Sequence, residues 1–283
     1  SSETPLNMNL YQTKKDKYLR FKVFQRNSTI PLSDALPILE NMGLRVIGER
    51  PHQLSTKENL VVWINDFDML FDRKKEVDVE KIRKTFQEAF SAVWMNDAEN
   101  DPFNHLVLSA ELNWHEVCML RAYSKYFRQV GINYSESYIA ATLRSHPAIT
   151  QELVKLFRTK FDPALNKSSK KSVSVIDKIT AKIDEQLEKI HRLDQDRILR
   201  RYKEIINATL RTNYFQWRGK NIRKTYLSLK INSQMLKDIP LPKPMFEIFV
   251  YSPRFEGVHL RCSKVARGGL RWSDRPEDFR TEV

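Results

Sequence analysis

The order of residue periodicities in the first hundred residues constrains the fold of this chain more than any other feature. Residues 18–25, YLRFKVFQ, are rich in aromatic and β-branched residues and predict a strand. A helix follows, with Ser33 as its predicted cap and Gly43 just past its end. LRVIGERPHQL and NLVVWINDFDML predict two more strands, and apolar residues at helical spacing predict a second helix over 79–93. This β-α-β-β-α order is most of a ferredoxin-like unit.

Small regulatory domains of the ACT type share that order and often bind amino acids. In this sequence RNSTIP follows the first strand, where a glycine-bearing effector loop would be expected. We therefore expect a structural, non-binding ACT-like domain over residues 18–100, preceded by a polar N-terminal tail over 1–17. Amino-acid binding by this domain remains the alternative.

Residues 101–216 predict a helical region. Asn113 and Glu116 have the spacing of a capping box at the start of a helix that Gly131 ends. NKSSKKSVS predicts a linker because it has no apolar period. A long helical tract with a break near Leu193 then continues to Phe215.

The positive charge of the chain is concentrated in one stretch. Residues 155–230 hold 20 Lys and Arg against 8 Asp and Glu, which is +12 of the net charge of +13. Such a stretch can bind nucleic acid or a membrane surface, or it can be a solvated helical face. We favour the solvated face, because the few aromatic residues do not alternate with the basic ones. We therefore do not expect nucleic acid as a partner.

The lack of a recognisable targeting signal and the small number of cysteines predict a cytoplasmic setting. The sequence has no apolar run of membrane-spanning length, and its first residues lack the apolar core of a secretory signal. Cys118 and Cys262 are its two cysteines, too few for a disulfide framework or a zinc site. We expect neither a membrane nor a resident metal, since the six histidines show no pair at metal-ligand spacing.

From residue 217 the pattern returns to strands, in NIRKTYLSLKIN, FEIFVYSP and VHLRCSKVA. We expect an α+β protein overall, with the incomplete beginning of an α/β domain over 217–283. Apart from a possible helix start at PEDFRTEV, no predicted helix follows to cover these strands, and a sheet with an uncovered face is not a finished domain. We infer from this pattern that the chain is a fragment.

A double glycine between arginines is the strongest candidate site. In Arg267-Gly268-Gly269-Leu270-Arg271, the glycines allow close approach of a ligand to the backbone, and a guanidinium can hold a carboxylate or phosphate through two bonds. A small anion fits this pattern, and so does a plain hairpin turn with solvated arginines. The spacing alone leaves both possibilities open.

Two weaker candidates lie on predicted strands. Strand alternation places the His259 side chain on the face opposite to Val258 and Leu260. We favour a structural or solvent-facing role for it over the alternative that it lines the cleft. Asp66 and Asp68 share one face of their strand, and we expect both side chains to be exposed to solvent.

Long segments of the sequence resemble one enzyme family. PLPKPMFEIFVYSPRFEGVHLR and KVARGGLRWSDRPEDFRTEV are similar to the catalytic domain of the large bacterial NAD-specific glutamate dehydrogenases. PLSDALPILENMGLRVIGERP, LRAYSKYFRQVGINYSESYIAATLRSHP and DRILRRYKEIINATLRTNYFQ resemble the regulatory and helical regions before that domain.

The resemblance implies a reaction, a cofactor and a set of contacts. The family oxidises L-glutamate to 2-oxoglutarate and ammonia with NAD, in amino-acid catabolism and as a homo-oligomer. Related enzymes carry lysine in a K-G-G-x-R pattern, and that lysine contacts the side-chain carboxylate of the substrate. The resemblance thus assigns this contact to Arg267, with Gly268 and Gly269 as close-approach backbone, and a supporting role to Arg271.

The resemblance also implies what this chain lacks. The catalytic lysine, the proton-shuttling aspartate and the NAD-binding domain of the family would follow Val283, so no catalytic or cofactor-binding residue is expected within the chain. Cys262 and Ser263 depart from the glycine or apolar residues usual there, and we expect Cys262 to be a passive thiol. The alternative function is a non-catalytic regulatory or scaffolding module that binds an amino acid or a polyanion.

Overall fold

The computed structural model of the chain describes residues 6–13, 18–55, 61–71, 78–165, 169–217, 224–237, 239–241 and 243–263. The chain divides into two compact units, Ser1–Val117 and Cys118–Val283. The domain boundaries expected at residues 100 and 216 remain predictions. None of the described helices is both long enough and apolar enough to cross a membrane.

Unit 1 is a four-stranded antiparallel sheet with helices on one face. Its elements are β1 (Asn7–Tyr11), β2 (Leu19–Arg26), α1 (Leu32–Asn41), β3 (Leu44–Ser55), β4 (Val61–Phe71), α2 (Val79–Trp94) and the short α3 (Leu106–Ser109). The strand order is β1-β2-β4-β3, and every neighbouring pair is antiparallel. This is the predicted ferredoxin-like arrangement.

The core of unit 1 forms because alternate residues of β2 meet the apolar stripe of α2. Phe21 on β2 is fully buried and contacts two rings of α2, with ring centroids 5.2 Å from Phe86 and 5.0 Å from Phe90. Asp78 caps α2, since its side chain accepts a hydrogen bond from the amide of Lys81.

The strand β1 lies within residues 1–17, the stretch predicted as a tail. Side chains of α2 hold it in place. Gln87 accepts a hydrogen bond from the Leu10 amide and donates one to the Met8 carbonyl, both 3.0 Å long, and Arg83 Nε donates to the Leu10 carbonyl at 2.7 Å. β1 thus occupies the sheet position that the last strand of a β-α-β-β-α-β unit would fill.

The ends of α1 differ in part from the prediction. Pro31 is the N-cap residue, and no side chain caps the helix, so the expected cap by Ser33 was wrong. Gly43 follows the helix with φ of +85°, as predicted for a C-terminal glycine.

Unit 2 combines helices with a second antiparallel sheet. Its elements are α4 (Trp114–Gln129, whose first turn belongs to unit 1), α5 (Glu136–Ser145), α6 (Pro147–Phe161), α7 (Ser169–Leu187), α8 (Leu193–Ala208), β5 (Thr209–Thr212), β6 (Leu227–Ile231), β7 (Phe246–Ser252) and β8 (Phe255–Arg261). The strand order is β5-β6-β7-β8.

The helical region follows the prediction with two corrections. The capping box of α4 is present. The backbone amide of Asn113 donates to the side-chain carboxylate of Glu116, and the backbone amide of Glu116 donates to the side-chain oxygen of Asn113, each at 3.0 Å. α7 begins at Ser169 and so includes most of the stretch predicted as a linker. Residues 209–212 were predicted to be helical but form β5, because they pair with β6.

A helix covers one face of the second sheet. The helix α4 comes before the strands in the chain rather than after them. Its fully buried Tyr123 forms a 3.0 Å hydroxyl–hydroxyl hydrogen bond with Thr209 on β5, and the ring of Tyr126 lies 5.6 Å from that of Phe249 on β7.

Candidate functional site

The four residues predicted to bind or support a ligand, Arg267, Gly268, Gly269 and Arg271, lie outside the described residues. Their roles stay predictions. The structure does describe the strand that leads to them, since β8 ends at Arg261 and Arg267 follows six positions later in the sequence.

The end of β8 is held by the beginning of β7. Arg261 pairs with Phe246, and Leu260 pairs with Glu247. Just before β7, the Met245 amide donates a 2.8 Å hydrogen bond to the Arg261 carbonyl. These contacts hold the last residues of β8 against the first residues of β7.

A buried carboxylate lies at this end of the sheet. The side chain of Glu247 is 0% exposed and accepts a 2.7 Å hydrogen bond from the hydroxyl of Tyr126, which is also 0% exposed. Its cross-strand partners are the apolar residues Ile231 on β6 and Leu260 on β8. A carboxylate in such surroundings is stable only with good hydrogen-bond partners.

Our sequence reasoning missed Glu247, although a signal for it was present. In the strand FEIFVYS, Glu247 shares its alternation with Phe249 and Tyr251, which both lie on the buried face. An acid at a position where the pattern predicts an apolar residue requires buried hydrogen-bond partners.

A third polar contact joins α4 to the sheet. Lys125 Nζ lies 3.3 Å from a carboxylate oxygen of Glu256 on β8 and 3.3 Å from one of Glu136 at the start of α5. Arg128 also pairs with Glu136. Because the lysine is largely buried, the two carboxylates offset the cost of removing its charge from water.

The opposite face of β8 is more open. His259 pairs with Ile248 and is exposed, while Val258 and Leu260 point to the other face, so the predicted alternation is confirmed. Cys262 is exposed as well. Its predicted passive role stays a prediction.

Unit 1 contains the two acids predicted to share a strand face. Asp66 and Asp68 on β4 do share it, because their partners on β2 are Lys22 and Arg20. The expectation that both are wet was wrong for Asp66, which is 2% exposed and lies 2.5 Å from an Arg20 nitrogen. The cations of β2 lie over this carboxylate and exclude water from it.

A buried side chain of β4 holds the loop after β2. Buried Asn65 on β4 accepts a 3.4 Å hydrogen bond from the Ile30 amide and donates a 2.8 Å bond to Glu49 on β3. Asn27 opens the loop with φ of +64°. These contacts support the predicted structural role of the ACT-like domain, which stays a prediction.

One lysine of the helical region has a shifted pKa. Burial lowers the pKa of Lys160, near the end of α6, to about 8. Its ammonium donates to the carbonyls of Ile206 (3.1 Å) and Asn207 at the C-terminal end of α8. That end of a helix carries partial negative charge and favours a cation.

The basic stretch holds many ion pairs on the helix surfaces. Among them are Lys182 with Glu152, Lys203 with Asp184, Lys189 with Glu185, and Arg200 with both Asp196 and Glu188. Such pairs are what a solvated helical face predicts.

Three family models match successive parts of the chain. Residues 5–82 match "Glutamate dehydrogenase, ACT3 domain", and residues 98–163 match "Glutamate dehydrogenase, helical motif 3". Residues 182–283 match "Bacterial NAD-glutamate dehydrogenase, catalytic domain". The third match includes the whole second sheet, with Glu247, and the double glycine.

Curated relatives agree with these matches. The chain is 47% identical to an NAD-specific glutamate dehydrogenase of Halomonas elongata over 99% of its own length, and 45% identical to one of Pseudomonas aeruginosa over 100%. It is 44% identical to one of Mycobacterium tuberculosis over 92%. The chain spans 17%, 18% and 16% of the lengths of these relatives, respectively.

Proposed function

This chain belongs to the family of large bacterial NAD-specific glutamate dehydrogenases, and from that premise we propose that the whole protein oxidises L-glutamate with NAD. The reaction takes L-glutamate, NAD⁺ and water to 2-oxoglutarate, ammonium, NADH and a proton. The observation that carries the proposal is the match of residues 182–283 to the catalytic-domain model of that family.

Within that reaction we assign the substrate side-chain carboxylate to Arg267, with Gly268 and Gly269 as close-approach backbone. A guanidinium suits this task because it can offer two parallel N–H donors to one carboxylate. We assign Arg271 to support of the same segment. These roles rest on the position of the residues in the K-G-G-x-R pattern.

NAD is the hydride acceptor in this proposal, and the remainder of the protein binds it. The sequence of this chain contains no G-x-G-x-x-G motif, the usual mark of a dinucleotide-binding turn. The chain would supply the ACT-like domain, the helices and the sheet that carries the substrate segment.

We further propose that the protein acts in the cytoplasm, in glutamate catabolism, and as a homo-oligomer. The presence of only two cysteines in the sequence supports a reducing compartment.

The test is an assay of the full-length enzyme. NADH formation at 340 nm is followed with L-glutamate and NAD, and in parallel with D-glutamate, L-aspartate or NADP in their place. We expect NADH only from L-glutamate with NAD, together with a stoichiometric amount of 2-oxoglutarate. Failure to form NADH from L-glutamate would remove the proposed function.

A further inference from the structure

The two faces of the second sheet differ in how well they are covered. On β6 and β7, the inner face toward α4 is closed, and these residues on it are at most 8% exposed: Leu227, Leu229, Ile231, Glu247, Phe249 and Tyr251. The opposite face, which we call the outer face, carries the half-buried residues Ser228, Lys230, Ile248 and Val250 on the same strands. Cross-strand pairing extends the outer face onto β8 through Gly257 and His259, which stand opposite Val250 and Ile248.

Gly257 lies in the interior of β8, where a glycine weakens a strand because it has no side chain to pack. Its φ is outside the left-handed region, and the pairing of β7 with β8 runs without a bulge, so the backbone does not require glycine here. A Cβ at this position would meet nothing within 4 Å. The reason that is left is the close approach of another backbone from outside the described residues, which a glycine inside a strand often marks.

The neighbours of Gly257 indicate the chemistry of what approaches. Val250 and Ile248 form an apolar centre on β7, and Lys230 beside Ile248 pairs with Arg211 on β5. The outer-face residues of the four strands include no acid, and neither Lys230 nor Arg211 has an acidic partner among the described residues. An apolar centre flanked by cations is complementary to an apolar surface that carries carboxylates.

Most of the protein is available to supply that surface, because this chain spans only 17%, 18% and 16% of the lengths of its curated relatives. The face of a sheet is covered by a helix or by another sheet, and the helix α4 already covers the inner face. We propose that an acidic amphipathic helix from the rest of the same polypeptide packs on the outer face, with its backbone closest to Gly257. The proposal goes beyond the reaction, since it concerns how parts of the protein join.

The first test substitutes glycines in the full-length enzyme. Gly257→Ala and Gly257→Leu place a side chain where the helix should lie. Gly48→Ala on β3 is the matched control, because φ of Gly48 is also outside the left-handed region and its Cβ would make an ordinary 3.7 Å contact with Asp68 Oδ2. We expect the rate of thermal unfolding, followed by far-UV circular dichroism, to rise about tenfold in Gly257→Ala and about a hundredfold in Gly257→Leu, and to stay within about twofold in Gly48→Ala, because overpacking a closed interface destabilises it.

The second test identifies what covers the face. The photo-cross-linker p-benzoylphenylalanine is placed at the position of His259 in the full-length enzyme, and a mixture of ¹⁴N- and ¹⁵N-labelled copies is irradiated and analysed by mass spectrometry. We expect cross-links to a peptide outside residues 1–283 in which acidic residues flank apolar ones, with both peptides of each cross-link carrying the same label.

Several results would overturn the proposal. An unfolding rate of Gly257→Leu within about twofold of wild type would mean that nothing packs over this glycine. Cross-links only within residues 1–283, or none, would remove the proposed helix, and cross-links only between differently labelled copies would assign the outer face to a second copy. If Gly257→Leu does not fold, Gly257→Ala and the cross-links decide. Neither readout uses catalysis, so a protein that does not oxidise glutamate would contradict the proposed function alone.

Discussion

Two glycines at positive φ differ in the space around them. Gly43 has φ of +85°, and a Cβ there would lie 2.5 Å from Nε2 of the His105 ring. Gly131 has φ of +78°, and a Cβ there would lie 3.6 Å from Pro240 Cγ, an ordinary contact. The backbone needs glycine at both positions, but only Gly43 is also needed for close packing.

We therefore expect Gly43→Ala to destabilise its unit more than Gly131→Ala. In the 283-residue chain, both substitutions should lower the free energy of unfolding by about 1–2 kcal/mol, because alanine is strained in the left-handed backbone conformation. Gly43→Ala should lower it by about 1–3 kcal/mol more, because the imidazole of His105 must move. Urea unfolding of the two variants and the wild type measures the difference. Gly257→Ala is the control, since nothing lies within 4 Å of a Cβ there. Equal losses at Gly43 and Gly131 would show that the contact with His105 is unimportant.

Arg267 gives a second prediction at the scale of single residues. In the full-length enzyme, Arg267→Ala removes one charge-assisted contact, worth about 1.5–3 kcal/mol, and should raise KM for glutamate accordingly. Arg267→Lys restores the residue of the K-G-G-x-R pattern and should keep most of the affinity. Initial-rate kinetics with varied glutamate measure both. An unchanged KM in Arg267→Ala would contradict the assignment.

Among the helices, Lys160 links α6 to the end of α8 and makes this contact depend on pH. Burial lowers the pKa of Lys160 to about 8 in the folded chain, against 10.5 as its ordinary value. Between these two values the unfolded chain binds more protons, so the contribution of Lys160 to stability rises as the pH rises. Below pH 8 the folded state holds a partly desolvated charge.

We expect Lys160→Met to remove this dependence. The free energy of unfolding of the wild type, relative to Lys160→Met, should rise by about 2 kcal/mol between pH 7.5 and 10, less than the full shift because the ammonium is partly solvated. Urea titrations of both proteins at the two pH values measure it. Parallel pH profiles for the two proteins would count against the shifted pKa.

Several elements could be predicted from the sequence because their own residues determine them. The apolar stripe of α2 predicted that helix, and the capping box of Asn113 and Glu116 predicted the start of α4. The strand residues of β2 predicted that strand, whose side chains alternate between buried and half-buried. β1 and β5 were missed because each depends on contacts outside its own residues. β1 pairs with β2 and is held by Gln87 and Arg83 of α2, and β5 pairs with β6.

The candidate site could be predicted only in part, for a related physical reason. The double glycine is visible as a local pattern, whereas the buried hydrogen bond that Glu247 accepts comes from Tyr126, 121 positions away. Likewise Asp66 was expected to be wet, because alternation gives the face of a side chain but not what lies over it.

For the whole molecule, we predict that the 283-residue chain alone forms no NADH from L-glutamate and NAD. Hydride transfer requires the nicotinamide to be held against the substrate carbon, and no residue of this chain is assigned to that task. The assay compares the purified chain with the full-length enzyme at equal molar concentration. NADH formation by the chain alone would mean that it holds a complete active site.

The place of β1 in the first sheet also bears on how that unit folds. Tyr11 pairs with Arg20 and Asn7 with Phe24, so β1 and β2 close a hairpin over short sequence separations. A closing strand placed after α2, which ends at Trp94, would have to pair with β2 across roughly 70 residues. Placing this strand directly before β2 lowers the contact order, and chains of lower contact order fold faster. During synthesis, β1 and β2 can pair before α1 has left the ribosome. Gln87 and Arg83 of α2 can then form their hydrogen bonds to β1, the edge strand of the sheet.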